Sequence, residues 1–319
     1  MTHIPGVIVI GSINIDDSLR MHRLPAPGET VGARSLTTEL GGKGANQAVA
    51  AARAGAGVRM IGAVGDEDSA LPLQRLASEG IDTDGIARLA GTPSGRALVM
   101  VDEDAENSIV VVPGANHAIP DTAVEQACST LGPGDAVLLQ HEIPARISRL
   151  AASLAHRAGA RVIWNAAPAP EHLEELVEEI DLLVVNQHEL AVIADLLDDG
   201  ISVDAAGDDD VDAMLRRVAQ NVDADVICTL GAAGAASLIA GEPARHRSPA
   251  VDAVDTTAAG DTFVGYLAAG MVRGEDPARA IRTAAEAGAL AVTRRGAADS
   301  IPHHHEVASR LTLDERTAG

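Results

Sequence analysis

Residues 251–271 read Val251-Asp-Ala-Val-Asp255-Thr-Thr-Ala-Ala-Gly260-Asp261-Thr-Phe-Val-Gly-Tyr-Leu-Ala-Ala-Gly-Met271. The first half is rich in small residues, and the second has the apolar pattern of a helix ended by Gly274. A small-residue turn that opens a helix leaves several backbone N–H groups without intrahelical partners. With the helix dipole they make an anion site suited to a transferring phosphoryl group. A carboxylate there would repel phosphate, so Asp261 has two readings. It is the base for an attacking hydroxyl, or a first-turn carboxylate that stabilises the dipole.

Outward from this segment, short apolar runs alternate with Ala-rich stretches. Strands are expected over 7–10, 58–61, 136–139, 162–164, 182–185 and 226–230. Helices are expected over 45–54, 71–79, 121–128, 147–158, 171–178, 189–197 and 211–221. Such alternation predicts βαβ units around one largely parallel sheet. Two regions break it: 16–40, which holds Pro25, Pro27 and Gly28, and 94–112, two alternating strands around the polar tip 102–107. The second reads as an antiparallel hairpin. Insertions of this kind often form a lid over a site. The acidic stretch 198–210 reads as a solvated loop and helix start.

The chain has 319 residues, 46% of them hydrophobic, which is enough for a large core in one α/β domain or two. Trp164, Phe263 and Tyr266 are its only aromatics, so the core must be built from Ala, Val, Leu and Ile. The balance of 24 basic against 46 acidic residues, net −22, makes DNA, RNA and anionic lipid poor partners. A salt-adapted surface and an ordinary soluble enzyme both fit that balance. Cys128 and Cys228 stand far apart and form no metal or disulfide pattern. The N-terminal apolar run is too short for a signal segment, and no stretch approaches a membrane span of about 20 residues. A cytoplasmic protein is expected.

Familiar nucleotide motifs fail. Gly42-Lys43 has Thr37 and Gly44 where a Walker A loop needs Gly and Ser/Thr, and Gly55-Ala-Gly57 is not followed by the third glycine of a dinucleotide fingerprint. His303-His-His305 is expected in an exposed loop before the last helix. In Gly41-Gly-Lys-Gly-Ala-Asn-Gln47, glycines would let backbone approach a ligand, with Lys43 and Asn46 as donors. The same residues also suit a plain Gly-rich turn into a helix. Lys43 is the only lysine in the chain.

Taken in order, Gly11-Ser-Ile-Asn-Ile-Asp16, Pro27-Gly-Glu-Thr30, Gly41–Ala48, Pro113-Gly-Ala-Asn116, Asn165-Ala-Ala-Pro168, Asn186-x-x-Glu189, Thr229-Leu-Gly-x-x-Gly234, Asp255–Phe263 and Ala291-Val-Thr-Arg-Arg-Gly296 resemble the ribokinase (PfkB) family of carbohydrate kinases. The resemblance runs from residue 7 to about 302. It implies an α/β fold with a three-layer α/β/α core, a mainly parallel sheet and a small β-sheet lid. One kinase domain would span 1–319, with lid segments at about 14–40 and 94–113.

The resemblance further implies phosphorylation of a sugar hydroxymethyl by ATP, with D-ribose at O5 as the acceptor. Asp261 would be the base, and the amides of Ala258, Ala259 and Gly260 the anion hole. Asn14, Asp16, Gly42, Lys43, Asn46 and Glu142 would hold sugar hydroxyls, with apolar contact from Ala97, Val99 and Val111. Thr229, Gly231, Gly234, Asn186 and Gly260 would meet the nucleotide. Asn186 and Glu189, three residues apart, would hold Mg²⁺, partly through water. Asp255, Ser300 and the carbonyls of Thr257, Ala291, Arg294 and Gly296 would hold K⁺. A homodimer through the lid is expected.

Two positions depart from the family pattern. Ala232 and Ala233 follow Gly231 where a polar residue often reaches phosphate, and Ala285-Glu286 offers neither an aromatic nor a His against the adenine. Other acceptors remain open: deoxyribose, another pentose, a keto-deoxy acid or a nucleoside. So does a sugar-binding regulator without catalysis. Asp16 aimed at vicinal hydroxyls favours ribose over a deoxy sugar.

Overall fold

The structure, a computed structural model, describes residues 4–104, 106–197 and 208–317. The loop expected at 198–207 lies outside them. In chain order the strands are β1 Val7–Ile10, β2 Asn14–Met21, β3 Ala33–Gly41, β4 Val58–Gly65, β5 Ile86–Leu89, β6 Gly95–Val101, β7 Asn107–Val112, β8 Ala136–Leu139, β9 Arg161–Asn165, β10 Leu182–Asn186, β11 Asp225–Thr229, β12 Ala235–Ile239 and β13 Glu242–His246. The helices are α1 Lys43–Arg53, α2 Ala70–Ser78, α3 Asp121–Cys128, α4 Ala145–Ala158, α5 Gln187–Leu196, α6 Asp208–Val222, α7 Ala259–Val272, α8 Pro277–Ala291 and α9 His304–Thr317.

Nine strands form one sheet in the order β13-β12-β11-β10-β9-β8-β1-β4-β5. It is parallel from β5 to β11, and β12 and β13 turn back antiparallel at one edge. Side chains alternate across a strand. Val7 and Val9 of β1 therefore join the core layer under α1, α7 and α8, while Ile8 and Ile10 join the layer under α3, α4, α5 and α6. These are the three layers of an α/β/α sandwich. From β1 the chain winds first to β4 and β5, then returns to β8 on the other side of β1 and continues outward. The gap between the C-terminal ends of β1 and β8 is thus the topological switch point, where open α/β sheets bind ligands.

The remaining strands form a second sheet, β3-β2-β6-β7, in which β6 and β7 pair as the antiparallel hairpin expected at 94–112. The helix expected at 171–178 is absent; only a single 3₁₀ turn, Leu173–Glu175, forms there. Glu171, Glu174, Glu175 and Glu178 fall three and four residues apart, so a helix would stack like charges. Instead the Glu175 carboxylate caps the amides of Glu171 and His172. The last helix begins inside the histidine run, at His304, with the His303 and His305 rings stacked at 5.9 Å.

Helices α1 and α7 approach closely because Gly265 has no side chain. A Cβ there would lie 2.6 Å from the Gln47 carbonyl oxygen and 2.8 Å from the Ala51 nitrogen, and would collide with the Ala50 methyl. In an exposed helix, Gly→Ala stabilises. Here the added methyl meets backbone, which cannot swing aside. Gly265→Ala is expected to lower stability by about 1–3 kcal/mol, the usual range for overpacking. Urea unfolding measures this, and a variant as stable as the parent would contradict the close approach.

Candidate active site

At the switch point, the Ser12 hydroxyl donates to Glu142 Oε2 at 2.6 Å, and the Lys43 backbone N–H donates to the same oxygen at 2.9 Å. Ser12 Oγ accepts in turn from the Gly44 amide at 3.1 Å. The loop after β1, the loop after β8 and the start of α1 are tied together through one carboxylate oxygen. Two residues beyond Ser12, β2 leaves for the second sheet. Asn116 fixes its root: its Oδ1 accepts from Ile13 N–H at 2.9 Å, and its Nδ2 donates to Asn14 Oδ1 at 2.7 Å.

Asp16 pairs in register with Ala97, and Ala97 with Val111. Residues directly opposite share a face, so Asp16, Ala97 and Val111 line one side of the second sheet, with Val99 two residues further along that face. Ala97 is buried and Val111 is 54% exposed. Asp16 Oδ1 is buried without a hydrogen-bond partner, as is Asn46 Oδ1. Burial pushes the Asp16 carboxyl up to about 7, helped by the charges of Glu142, Glu39, Asp17 and Asp261. Hydroxyl groups of a ligand are the donors these oxygens lack.

Asp261 lies in the first turn of α7, 7% exposed. Asn46 Nδ2 donates to its Oδ2 at 3.0 Å and Gln47 Nε2 to its Oδ1 at 3.1 Å. The turn ahead of it holds Ala258 at φ +57°, whose carbonyl accepts from both the amide and the hydroxyl of Thr262. Gly260 is exposed, and the first-turn amides of Gly260 and Asp261 have no intrahelical acceptor. The Ala259 amide leans back to Thr256 O at 3.3 Å, which weakens it as a member of the anion hole. Lys43 sits among Asp261, Glu142 and Glu189. Its burial lowers its basicity, but the three carboxylates outweigh that and hold it above the ordinary lysine value.

Asn186 and Glu189 do meet, though first with each other. Asn186 is the N-cap of α5: its Oδ1 accepts from Glu189 N–H at 2.9 Å, and Glu189 Oε2 accepts from Asn186 N–H at 2.8 Å. One oxygen of each accepts in this capping box, and Glu189 Oε1 takes no part in it. Burial raises the Glu189 carboxyl, partly offset by the Asn186 amide and Lys43. Thr229 ends β11 beside it, with its hydroxyl 3.4 Å from Val185 O. Gly231 opens a single 3₁₀ turn closed by Gly234, whose carbonyl accepts from Leu230 N–H at 2.7 Å. Glu286 is buried and paired with Arg310.

Asp255 Oδ1 accepts from the Thr257 hydroxyl at 2.6 Å and amide at 3.0 Å, and its Oδ2 from the Gly296 amide at 3.1 Å. Burial would raise this carboxyl, but those donors outweigh it and hold it below the usual range. Ser300 is buried and donates to Ala297 O, leaving its lone pairs free. Arg294 pairs with Glu306 through its guanidinium, so only its carbonyl could face a cation.

Several members of the site had no role in the sequence reading: Ser12, Gln47, Asn116, Gln140 and Asn165. Four lie inside quoted motifs. Beyond membership of those motifs, nothing local in the sequence marked them.

Asp16 on the second sheet, Glu142 at the switch point and Asp261 in the opening turn of α7 are the polar groups of one candidate site. Residues 5–304 match the pfkB family of carbohydrate kinases, and the chain belongs to that family. It is 36% identical to the ribokinase of Schizosaccharomyces pombe, over 98% of this chain and 99% of that one. Among solved structures, ribokinase from Thermotoga maritima superposes with a TM-score of 0.85 at 34% identity, covering 97% of this chain and 99% of its own. Arabidopsis thaliana ribokinase complexed with ribose and ATP gives 0.85 at 32%, covering 96% and 98%. The protein is accordingly an ATP-dependent carbohydrate kinase.

Asp16 makes the folded protein pH-sensitive. Its folded value of about 7 exceeds the unfolded 3.8, so the native state holds the extra proton between them. Stability is fully present below about 4 and is lost as pH rises through about 7. Asp16→Asn removes this slope. Unfolding free energies at pH 5 and pH 8, without ligand, are expected to differ by at least about 1 kcal/mol less in Asp16→Asn than in the parent. Equal slopes would contradict the burial.

Proposed function

We propose that the protein transfers the γ-phosphoryl group of ATP to O5 of D-ribose, giving D-ribose 5-phosphate and ADP. The observation that carries this reading is the Asp261–Asn46 hydrogen bond. It joins the first turn of α7, where anion-binding amides gather, to the Gly41–Gln47 turn that borders the orphaned Asp16 carboxylate. Base, acceptor pocket and anion hole therefore meet at one carboxyl group.

Asp261 takes the O5 proton as that oxygen attacks phosphorus in line. Asn46 and Gln47 keep both carboxylate oxygens oriented, and a carboxylate with two donors still has free lone pairs to receive a proton. Asp16, Asn14, Glu142 and Asn46 hold the sugar hydroxyls, with Gly42 allowing close backbone approach. Lys43 and the amides of Ala258 to Gly260 face the transferring group. Thr229, Gly231 and Gly234 shape the nucleotide side of the cleft. Mg²⁺, reached from Asn186 and Glu189 largely through water, neutralises phosphate charge when bound. K⁺ at Asp255, Ser300 and the carbonyls of Thr257, Ala291, Arg294 and Gly296 offsets charge beside the anion hole.

The chain acts as one kinase domain over 1–319, and the segments 14–40 and 94–113 serve as its lid. Leu36 and the run Ile109 to Val112 are each between 44% and 59% exposed on the edge strands β3 and β7. An exposed apolar edge strand invites pairing, and two lids joining explains this one as a homodimer contact. Two free, buried thiols suit the reducing cytoplasm.

Asp261→Asn is expected to lower kcat at least about 10²-fold; near-normal turnover would remove Asp261 as base. ADP release measured across a panel of sugars, with and without K⁺, tests the substrate. D-ribose should be fastest and 2-deoxyribose slower, because it leaves Asp16 partly unpaired. A preference for deoxyribose would move the assignment to that sugar, and no response to any sugar would favour a binding protein. Light scattering reads the assembly: Val110→Glu with Leu36→Glu should shift the mass from two chains to one.

A further inference from the structure

Gln47 and Gln140 are both fully buried. A primary amide in a core of Ala, Val and Leu costs free energy unless its groups are bonded, and each position could have held an apolar side chain. Gln47 is bonded at both its nitrogen and its oxygen, whereas Gln140 keeps an oxygen without a partner. Their bonds form a chain with one direction. Val184 O, a pure acceptor, takes a hydrogen from Asn165 Nδ2 at 3.0 Å. That turns Asn165 Oδ1 toward Gln47, which must answer with its amide nitrogen, at 2.9 Å. The second hydrogen of the same Gln47 nitrogen goes to Asp261 Oδ1 at 3.1 Å. Gln47 Oε1 then accepts from Gln140 Nε2 at 2.7 Å.

Both donors of the Gln47 amide are therefore assigned, its oxygen accepts from Gln140, and its flip is fixed from both sides. We propose that Gln47 is the positioning residue for Asp261, and that Gln140 and Asn165 fix the orientation in which Gln47 donates. The proposal rests on the reading of Asp261 as the general base. Unlike Asn46, whose oxygen has no partner, Gln47 has no donor left for a ligand and no unsatisfied polar atom. Its contribution falls on the chemical step and not on sugar binding.

The surrounding packing supports the same assignment. Gly11 lies against Gln140: a Cβ at Gly11 would collide with Gln140 Oε1 and come within 3.0 Å of its Cδ. The glycine that opens the Gly11–Asp16 motif therefore makes room for the amide that orients Gln47. On the other side, Gly265 lets α7 come close enough to α1 for the bond to Asp261 to form.

The test is steady-state kinetics of Gln47→Met and Gln140→Met in the full-length enzyme, in the parent and in Asp261→Asn. Removing the donor should lower kcat about 10- to 10²-fold, the effect of a misplaced catalytic group, with KM for ribose changed less than about 3-fold. Gln140→Met should shift kcat the same way by a smaller factor. In the Asp261→Asn background, Gln47→Met should lower the residual kcat less than about 2-fold, because the two act as a unit. A multiplicative loss in that background, or a rise in KM with kcat preserved, overturns the proposal. So does a parent-like kcat for Gln47→Met. Near-normal turnover of Asp261→Asn alone overturns the base assignment and the proposal with it. If Gln47→Met does not fold, Gln140→Met decides on the same criteria.

Discussion

The approach of α7 to α1 at Gly265 is the constraint on which the site depends. Asp261 lies one helical turn before Gly265, so both face α1, and the glycine sets how near the carboxylate comes to Asn46 and Gln47. A buried carboxylate without donors would take up a proton or unfold its surroundings. Two amide donors on α1 satisfy both its oxygens beside the first turn of α7. The helices, not a loop, carry the pair, which gives the carboxylate a rigid mount.

The rest of the pocket is electrostatically uncomfortable without its ligands. Asp16, Glu39, Glu142, Glu189 and Asp261 interact in one region, and Lys43 is the cation among them. Asp16 is pushed toward protonation, first by burial and then by its acidic neighbours, and it has an oxygen without a partner. A donor that reached that oxygen would stabilise the folded state in proportion to its binding.

Legibility in the sequence followed the length of the physical signal. β1, β8 and α3 were readable to the residue, because each is a dense apolar or periodic run with clear ends. The antiparallel edge strands β12 and β13 carried no such run, since β13 is exposed along most of its length. The helix expected at 171–178 failed because apolar spacing was counted and charge repulsion was not. At the site, the glycine-rich turns announced themselves, but Asn186 and Glu189 show the limit of spacing. Three residues apart reads equally as a shared ion or as a capping box, and only the backbone at Asn186 separates the two. Gln47 was hidden differently: it sits in the Ala-rich face of α1, where nothing local marks a glutamine as buried. Its meaning comes from β8, β9 and α7, brought together from more than 90 residues away in sequence.

The scarcity of aromatics bears on this chemistry. Both faces of the main sheet mix alanine with larger residues, and Phe263 and Tyr266 lie on the side of α1, α7 and α8. Under α3 to α6 lie Trp164 and most of the large branched side chains of β1, β8 and β9. Under α1, α7 and α8 lie Ala45, Ala48, Ala50, Ala51, Ala268, Ala269, Ala280 and Ala284. Interaxial distance follows side-chain size, so small residues bring the helices of the second face close to one another and to the strand ends. That is the face bearing Asn46, Gln47 and Asp261, whose side chains are short and must span the gap. A core of large residues there would add hydrophobic burial, but it would move the carboxylate beyond reach of its donors. The alanines of α1 and α7 are therefore a condition of the site's geometry, and larger side chains of the same layer, Phe263 and Tyr266 among them, supply hydrophobic burial around that contact.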